Sequence, residues 1–359
     1  MNDTKDWRLT RSIFSTLVYA SFLQHVTFAS AASGNGSFMS PIGNLQESLT
    51  ASAAHGTVAV VKTFQPSRRN NDRVVVEEEG ECAVILSRSP SLPQELSRVV
   101  YDSVEESDKV EKVEDTQHLI PISSKGSLMV GPKGETKFMT PSPNLQLLHN
   151  DGLFLAMTGF ASDIQHLSRY VADFVSDHEH VYGGERPDAC SIARDALSDK
   201  MRQVALVGGA RPFGVQALLV ESAKVARGKR DTLDSVRFYT VDPSGNWMHW
   251  GGGATCIGKD AEKLRMQIHR LLHDNTSKRP NNWGEALDLA MDAMVNTFHG
   301  HLEKVGELTE KEIMQEFNGV VIFGYCGKNR QNPVCAVIDG SLLYKSYIRS
   351  LKAGNHEMT

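Results

Sequence analysis

The chain has 359 residues, about twice a common domain length, so it can bury one large core or two ordinary ones. Apolar residues make up 40% and charged residues 23%, which excludes a wholly disordered chain and a collagen-like one. A net charge of −5 gives no general attraction for nucleic acid or an anionic membrane, and five cysteines without a C-x-x-C pair exclude a disulfide framework and a paired-cysteine zinc site.

In chain order, Lys5, Arg8 and Arg11 precede an apolar run over 13–28, and Ala29-Ser30-Ala31 follows it. This is the layout of a targeting peptide. Gln24 and His25 interrupt the run, so no stable membrane span is expected. Two readings of 1–37 stay open, a secretory or organellar signal ending near Ala31 and a poorly ordered extension.

Leu45, Leu49 and Ala53 recur four apart and predict an ordered helix over 44–54 with one apolar stripe, which needs an apolar partner and is expected to be partly exposed in the isolated chain. Gly56 follows as its expected C-cap. Strands are expected over 57–61 and 83–86, with a polar loop at 65–73 between them. The stretch 88–136 reads as an insertion. Within it, 102–115 holds seven carboxylates against two lysines, so poor packing is expected over about 91–130.

Order resumes at 145–148 and 152–157, strands joined by the hairpin signal Asn150-Asp151-Gly152. Ser162 with Gln165 has the capping-box spacing, opening a helix with Ile164, Leu167, Val171, Phe174 and Val175 on one face. Pro187-Asp188 opens a second helix. Strands follow at 215–220 and 236–239. Asp242-Pro243-Ser244-Gly245 has the residue preferences of a type I turn into a returning strand at 246–250. Two striped helices come next, carrying Leu264 and Ile268, then Leu287 and Met294. Thr309 with Glu312 reads as the cap of a short helix, and late strands are expected at 320–323 and 334–338.

Hairpin-joined strands imply antiparallel sheets, and paired helices argue against a doubly wound parallel sheet. The expected class is α+β, a four-layer α-β-β-α sandwich of two antiparallel sheets between helix layers. No phosphate-loop, H-E-x-x-H, G-x-S-x-G or dinucleotide motif is present, and no cofactor is expected. Gly251-Gly252-Gly253 reads as a flexible bend in a strand pair. His178, Glu179 and His180 read as a helix end rather than a metal site.

Several motifs fall in a specific order. Arg211-Pro212-Phe213-Gly214, then Asp242-Pro243-Ser244-Gly245, then Ile257-Gly258-Lys259 resemble the central signature of 20S proteasome α-type subunits. Gly159 and Asp163, in the run 155–163, resemble that family's strand-into-helix segment. Met39-Ser40-Pro41-Ile42-Gly43-Asn44-Leu45-Gln46 resembles the entry of its N-terminal helix. The resemblance covers 38–347 apart from the insertion, leaving 348–359 as a tail. It implies the sandwich fold of N-terminal-nucleophile hydrolases.

It further implies a non-catalytic subunit in ubiquitin-dependent protein degradation, placed in an outer ring with other α-type and β-type subunits. Such a subunit is expected in cytoplasm and nucleus. Lys137 matches the pocket lysine that pairs with the C-terminal carboxylate of ATPase or other activator tails. The family's Tyr-Asp-Arg gate motif is replaced here by Ala32-Ser33-Gly34, which carries neither ring nor charge. The alternatives are a self-processing β-type-like threonine hydrolase, with Thr57 freed behind His55-Gly56, and an organelle-targeted orphan of the fold. Catalysis by Thr57 would need a nearby carboxylate and lysine, and 83–89 offers no aspartate.

Overall fold

A computed structural model describes residues 41–53, 56–63, 69–70, 73–74, 81–88, 119–121, 128–130, 136–138, 145–149, 151–206, 211–222, 236–274, 279–298, 313, 316–324 and 335–356. The extension 1–37, the acidic run 102–115 and the cap at Thr309 and Glu312 lie outside the described residues. The first elements are helix α1 (Pro41–Ser52), strand β1 (Thr57–Lys62), a short hairpin of β2 (Arg69–Asn70) with β3 (Arg73–Val74), and β4 (Cys82–Arg88). Three short strands follow: β5 (Leu119–Pro121), β6 (Leu128–Val130) and β7 (Thr136–Phe138). Next come β8 (Leu145–His149), β9 (Leu153–Gly159) and helix α2 (Ala161–Val181).

Helix α3 combines an α-helical turn Ala189–Ser191, a π-helical segment Ile192–Ser198 and an α-helix Asp199–Leu206. The chain continues through β10 (Val215–Ser222), β11 (Val236–Val241), β12 (Trp247–Trp250) and β13 (Ala254–Gly258). It then forms α4 (Ala261–Asp274), α5 (Trp283–Phe298), β14 (Phe317–Phe323), β15 (Cys335–Ile338) and α6 (Gly340–His356).

Two antiparallel sheets result. One runs β13-β1-β4-β14-β15-β5, the other β12-β11-β10-β9-β8. Strand alternation divides the apolar residues into three layers. Val58, Val60, Ile85, Phe154, Leu218 and Phe238 fill the space between the sheets. Ala59, Val61, Val84 and Leu86 turn outward against α4, α5 and α6 through Leu264, Ile268, Leu287, Met294 and Tyr347. Leu155, Met157, Ala217 and Leu219 turn outward against Ile164, Leu167, Val171, Ile192 and Leu197 of α2 and α3. This is the expected α-β-β-α sandwich. The buried strands read as near-continuous apolar runs because both of their faces are covered.

The structure corrects several local expectations. Helix α2 starts at Ala161, with Phe160 as an extended N-cap that makes no side-chain cap bond, so Ser162 and Gln165 form no capping box. The Ser162 hydroxyl instead donates to the carboxylate of Asp163 at 3.3 Å. Among the α1 side chains described, 45–52, Ser48 and Ser52 are buried, whereas Leu49 is 39% exposed and Leu45 and the following Ala53 are half-buried. The apolar stripe is therefore partly exposed, as expected for the isolated chain. Gly251-Gly252-Gly253 is no bend within a strand pair, because β12 and β13 belong to different sheets and these glycines carry the chain across.

The insertion also contributes to the core sheet. Leu119–Pro121 pairs antiparallel with β15 and becomes an edge strand. Its proline ends the strand at an edge, where a missing N–H is tolerated. At the other end of the chain, α6 continues past Tyr347 to His356. Tyr347 and Ser350 are buried, and Ile348 and Leu351 pack on the core.

Candidate functional site

Gly159, Asp163, the Arg211–Gly214 run and Gly258, all residues of the resemblance, lie close together at one end of the sandwich. Gly159 ends β9 with φ of 126°, and a Cβ there would lie 1.9 Å from the Gly214 carbonyl oxygen. Only glycine allows that approach. The Phe160 amide then donates to the same carbonyl at 3.0 Å, which ties the start of α2 to the segment that leads into β10. Asp163 reaches back across this junction. Both of its carboxylate oxygens accept from Nη2 of Arg211 at 2.9 Å, and Oδ2 also accepts from the Gly214 amide at 2.9 Å. The Arg211 guanidinium lies 5.0 Å over the Phe160 ring, and Phe213 stacks on His166 at 5.8 Å.

The helix before β1 docks on the same junction. The Ser48 hydroxyl donates to the Pro212 carbonyl at 2.9 Å. A Cβ on Gly214 would meet Phe160 at 2.7 Å and Ala51 at 3.3 Å, so helix, strand and loop close on this small residue. Ser48 and Ala51 are not marked by hydrophobic periodicity. A serine and an alanine on the face opposite two leucines are the only sequence trace of this contact.

Thr57 lies next to the junction, inside a continuous chain. Its backbone pairs with Gly258 on one side and Arg88 on the other. It is 2% exposed, and its hydroxyl donates to the Lys259 carbonyl at 2.9 Å. The Lys259 amide in turn donates to the Gly56 carbonyl at 2.9 Å. Gly258 has φ of 94°, and a Cβ there would lie 2.3 Å from the Gly56 oxygen, so the two segments touch backbone to backbone. Its amide donates to Oε1 of Gln216 on β10 at 2.9 Å, a bond between the sheets that no sequence pattern announces. The register places Ser87 opposite Val58, beside the threonine, where a catalytic arrangement would need a carboxylate.

The remaining predicted residues lie elsewhere. The turn Asp242-Pro243-Ser244-Gly245 forms as expected, with the Gly245 amide donating to the Asp242 carbonyl at 2.9 Å. It packs on α3, where the Gly245 carbonyl accepts from the Ser198 hydroxyl and from Arg202. Its role there is to seat the π-helical segment. Lys137 stands in the β6–β7 ribbon opposite Met129, and its side chain lies outside the described residues.

A second polar centre was invisible in the sequence. Glu221, 3% exposed, accepts from the Ala189 amide at 2.6 Å and lies 3.6 Å from Arg186 and 3.7 Å from Arg237. It anchors the start of α3 to β10. Two thiols are shifted upward in pKa. Cys256 donates to the Ala261 carbonyl at 2.8 Å, and burial pushes it up to about 12. Burial followed by the nearby Asp188 also raises Cys190. Among the described residues, no group of three or more His, Cys, Asp or Glu is placed to hold a metal ion. No helix among them is long and apolar enough to cross a membrane.

The family-model comparison covers part of this site, from Gly159 to Gly258 and beyond, but not Ser48 or Thr57. The family model for proteasome subunits matches 144–304, from the start of β8 past the end of α5. The chain is 28% identical over 173 residues to a proteasome subunit alpha of Pyrobaculum aerophilum, covering 48% of this chain and 64% of that protein. It is 27% identical over 176 residues to a proteasome subunit alpha 1 of Haloferax volcanii, covering 47% and 61%. The chain thus spans a little over three fifths of these curated relatives. Over the segment 144–304, this chain is similar to proteasome subunits, and both of these relatives are alpha subunits.

Proposed function

We propose that the chain is a non-catalytic α-type subunit of a 20S proteasome core. In this reading it sits in the outer ring beside other α-type and β-type subunits and takes part in ubiquitin-dependent degradation in cytoplasm and nucleus. The observation that carries the reading is the setting of Thr57. Its amine is a peptide nitrogen inside a paired strand, and its hydroxyl is bound to a backbone carbonyl. A threonine nucleophile needs a free amine and an acceptor for its own proton. The docked α1 supports the same reading, because Ser48 holds the preceding segment against Pro212 as part of the fold. The alpha designation of both curated relatives agrees. Lys137 is assigned to an activator-tail pocket, where an ammonium matches a terminal carboxylate.

The test is affinity purification of the tagged chain with intact-mass measurement. Recovery of other α-type and β-type subunits in near-equal amounts, with the chain uncut at Gly56, is the expected result. Cleavage between Gly56 and Thr57 would instead assign a self-processing hydrolase. A chain that returns alone would be an orphan of the fold, and a fusion carrying 1–40 would then report its compartment.

A further inference from the structure

The described histidines outside the junction have separate surroundings. Nδ1 of His178 contacts the Glu185 carbonyl at 2.9 Å, and His149 lies 3.5 Å from Glu179. His249 rests on Tyr239 with 4.9 Å between ring centroids. His269 and His273 differ, because their nearest aromatic partners are each other. They stand one turn apart on α4, the i,i+4 spacing that puts two side chains on one helix face. Their ring centroids are 6.0 Å apart and the planes differ by 19°. Leu264, Ile268 and Leu272 bury the opposite flank of the helix, which fixes its orientation. His273 is exposed and His269 half-buried, so solvent reaches the pair.

We propose that His269 and His273 chelate a borderline first-row transition-metal ion, with Zn(II) as the representative, on the surface of α4. Neutral imidazole suits such ions. The same i,i+4 spacing lets the two histidines of an H-E-x-x-H helix share one zinc. A helix held by its core face presents both rings together, so binding costs little ordering. The nearest described cation on the preceding turn is directed elsewhere. Arg265 lies 4.7 Å over the Trp250 ring, donates to the Cys256 carbonyl at 3.2 Å and pairs with Glu262 at 3.2 Å. Met266, three residues before His269 on the same helix, is 60% exposed. Two protein ligands leave the other coordination positions open to solvent or to a donor on another molecule.

The experiment is a Zn(II) titration of the full chain against a competing chromogenic chelator. It uses the wild type, His269→Gln, His273→Gln and, as a control, His178→Gln. The two substituted residues are solvent-accessible, and circular dichroism of each variant reports an unchanged fold. The expected result is one saturable Zn(II) per chain, weakened about tenfold or more by either α4 substitution and unchanged by the control. Absence of saturable binding in the wild type, or wild-type affinity in either α4 variant, would overturn the proposal.

Discussion

Arg211 and Asp163, 48 residues apart in sequence, meet through a single guanidinium nitrogen placed 2.9 Å from both carboxylate oxygens. The carboxylate is 9% exposed, whereas the arginine side chain is 49% exposed, so most of the energetic consequence rests on the aspartate. Asp163→Asn keeps the shape but turns an amide donor toward the Arg211 and Gly214 donors. The expected loss is about 2 kcal/mol in urea unfolding, since a charge-assisted bond is removed and a donor is left facing donors. Arg211→Ala is expected to cost less, about 1 kcal/mol or below, because solvent screens the exposed partner. Equal unfolding midpoints for Asp163→Asn and wild type would show that this carboxylate does not hold the junction.

Gly159 and Gly183 separate two kinds of glycine. Gly183, with φ of 67°, has open space around an added Cβ, so Gly183→Ala is expected to cost about 1–2 kcal/mol from backbone strain alone. Gly159→Ala adds a direct clash with the Gly214 carbonyl and is expected to leave little folded protein. Thermal melting of the two variants checks the ordering, and a milder Gly159→Ala would mean that the two segments can separate.

The two faces of α1 are expected to respond differently. Ser48→Ala removes the bond to the Pro212 carbonyl and should destabilise the chain by about 1 kcal/mol, with faster amide exchange in α1. Leu49→Asp alters an outward residue and should leave the isolated chain within about 0.5 kcal/mol of wild type. If the chain joins a ring, that same variant should recover fewer neighbouring subunits. Unchanged recovery would show that this part of α1 lies outside the contacts.

Cys256 gives a pH signature. Its thiol titrates near 9 when unfolded and is pushed up to about 12 when folded, mainly by burial. The folded state keeps the proton longer, so this contribution is fully present below pH 9 and is lost as pH rises toward 12. Other groups titrate in the same range, so the difference between wild type and Cys256→Ala isolates the thiol. The stability of wild type relative to the variant should decline with alkalinity. A constant difference from pH 8 to 11 would contradict the buried thiol.

Lys137→Ala tests the activator reading. Loss of an ammonium facing a terminal carboxylate should weaken a C-terminal tail peptide by about tenfold in the assembled particle, the size of one charge-assisted bond. Lys137→Arg should restore part of it, because charge remains while geometry changes. A tail that binds Lys137→Ala particles with wild-type affinity would remove this residue from the pocket.

Element order, the apolar faces of α2, α4 and α5, and the turn at Asp242 to Gly245 were legible because each depends on residues a few positions apart. Helical stripes and turn preferences are local properties. The local signal failed where a tertiary contact overrode it. Ser162 and Gln165 have the spacing of a cap, but the strand β9 delivers the chain into α2 two residues earlier, and Asp163 turns to Arg211. On α1 the expected stripe of Leu45, Leu49 and Ala53 is partly exposed, while Ser48, which no apolar period marks, finds the Pro212 carbonyl.

The sequence by itself determined the class of the fold, because alternating and helical periods in this order leave few ways to bury the apolar faces other than two antiparallel sheets between helices. It also marked the signature residues, without showing which of them meet. Only the tertiary structure decided that Ser48, Asp163, Pro212, Gln216 and Gly258 gather at one end while Asp242 to Gly245 seats α3, and that 119–121 joins the core sheet. These outcomes depend on the register of both sheets at once. A register sums many long-range backbone pairings, and no period within a single segment encodes that sum.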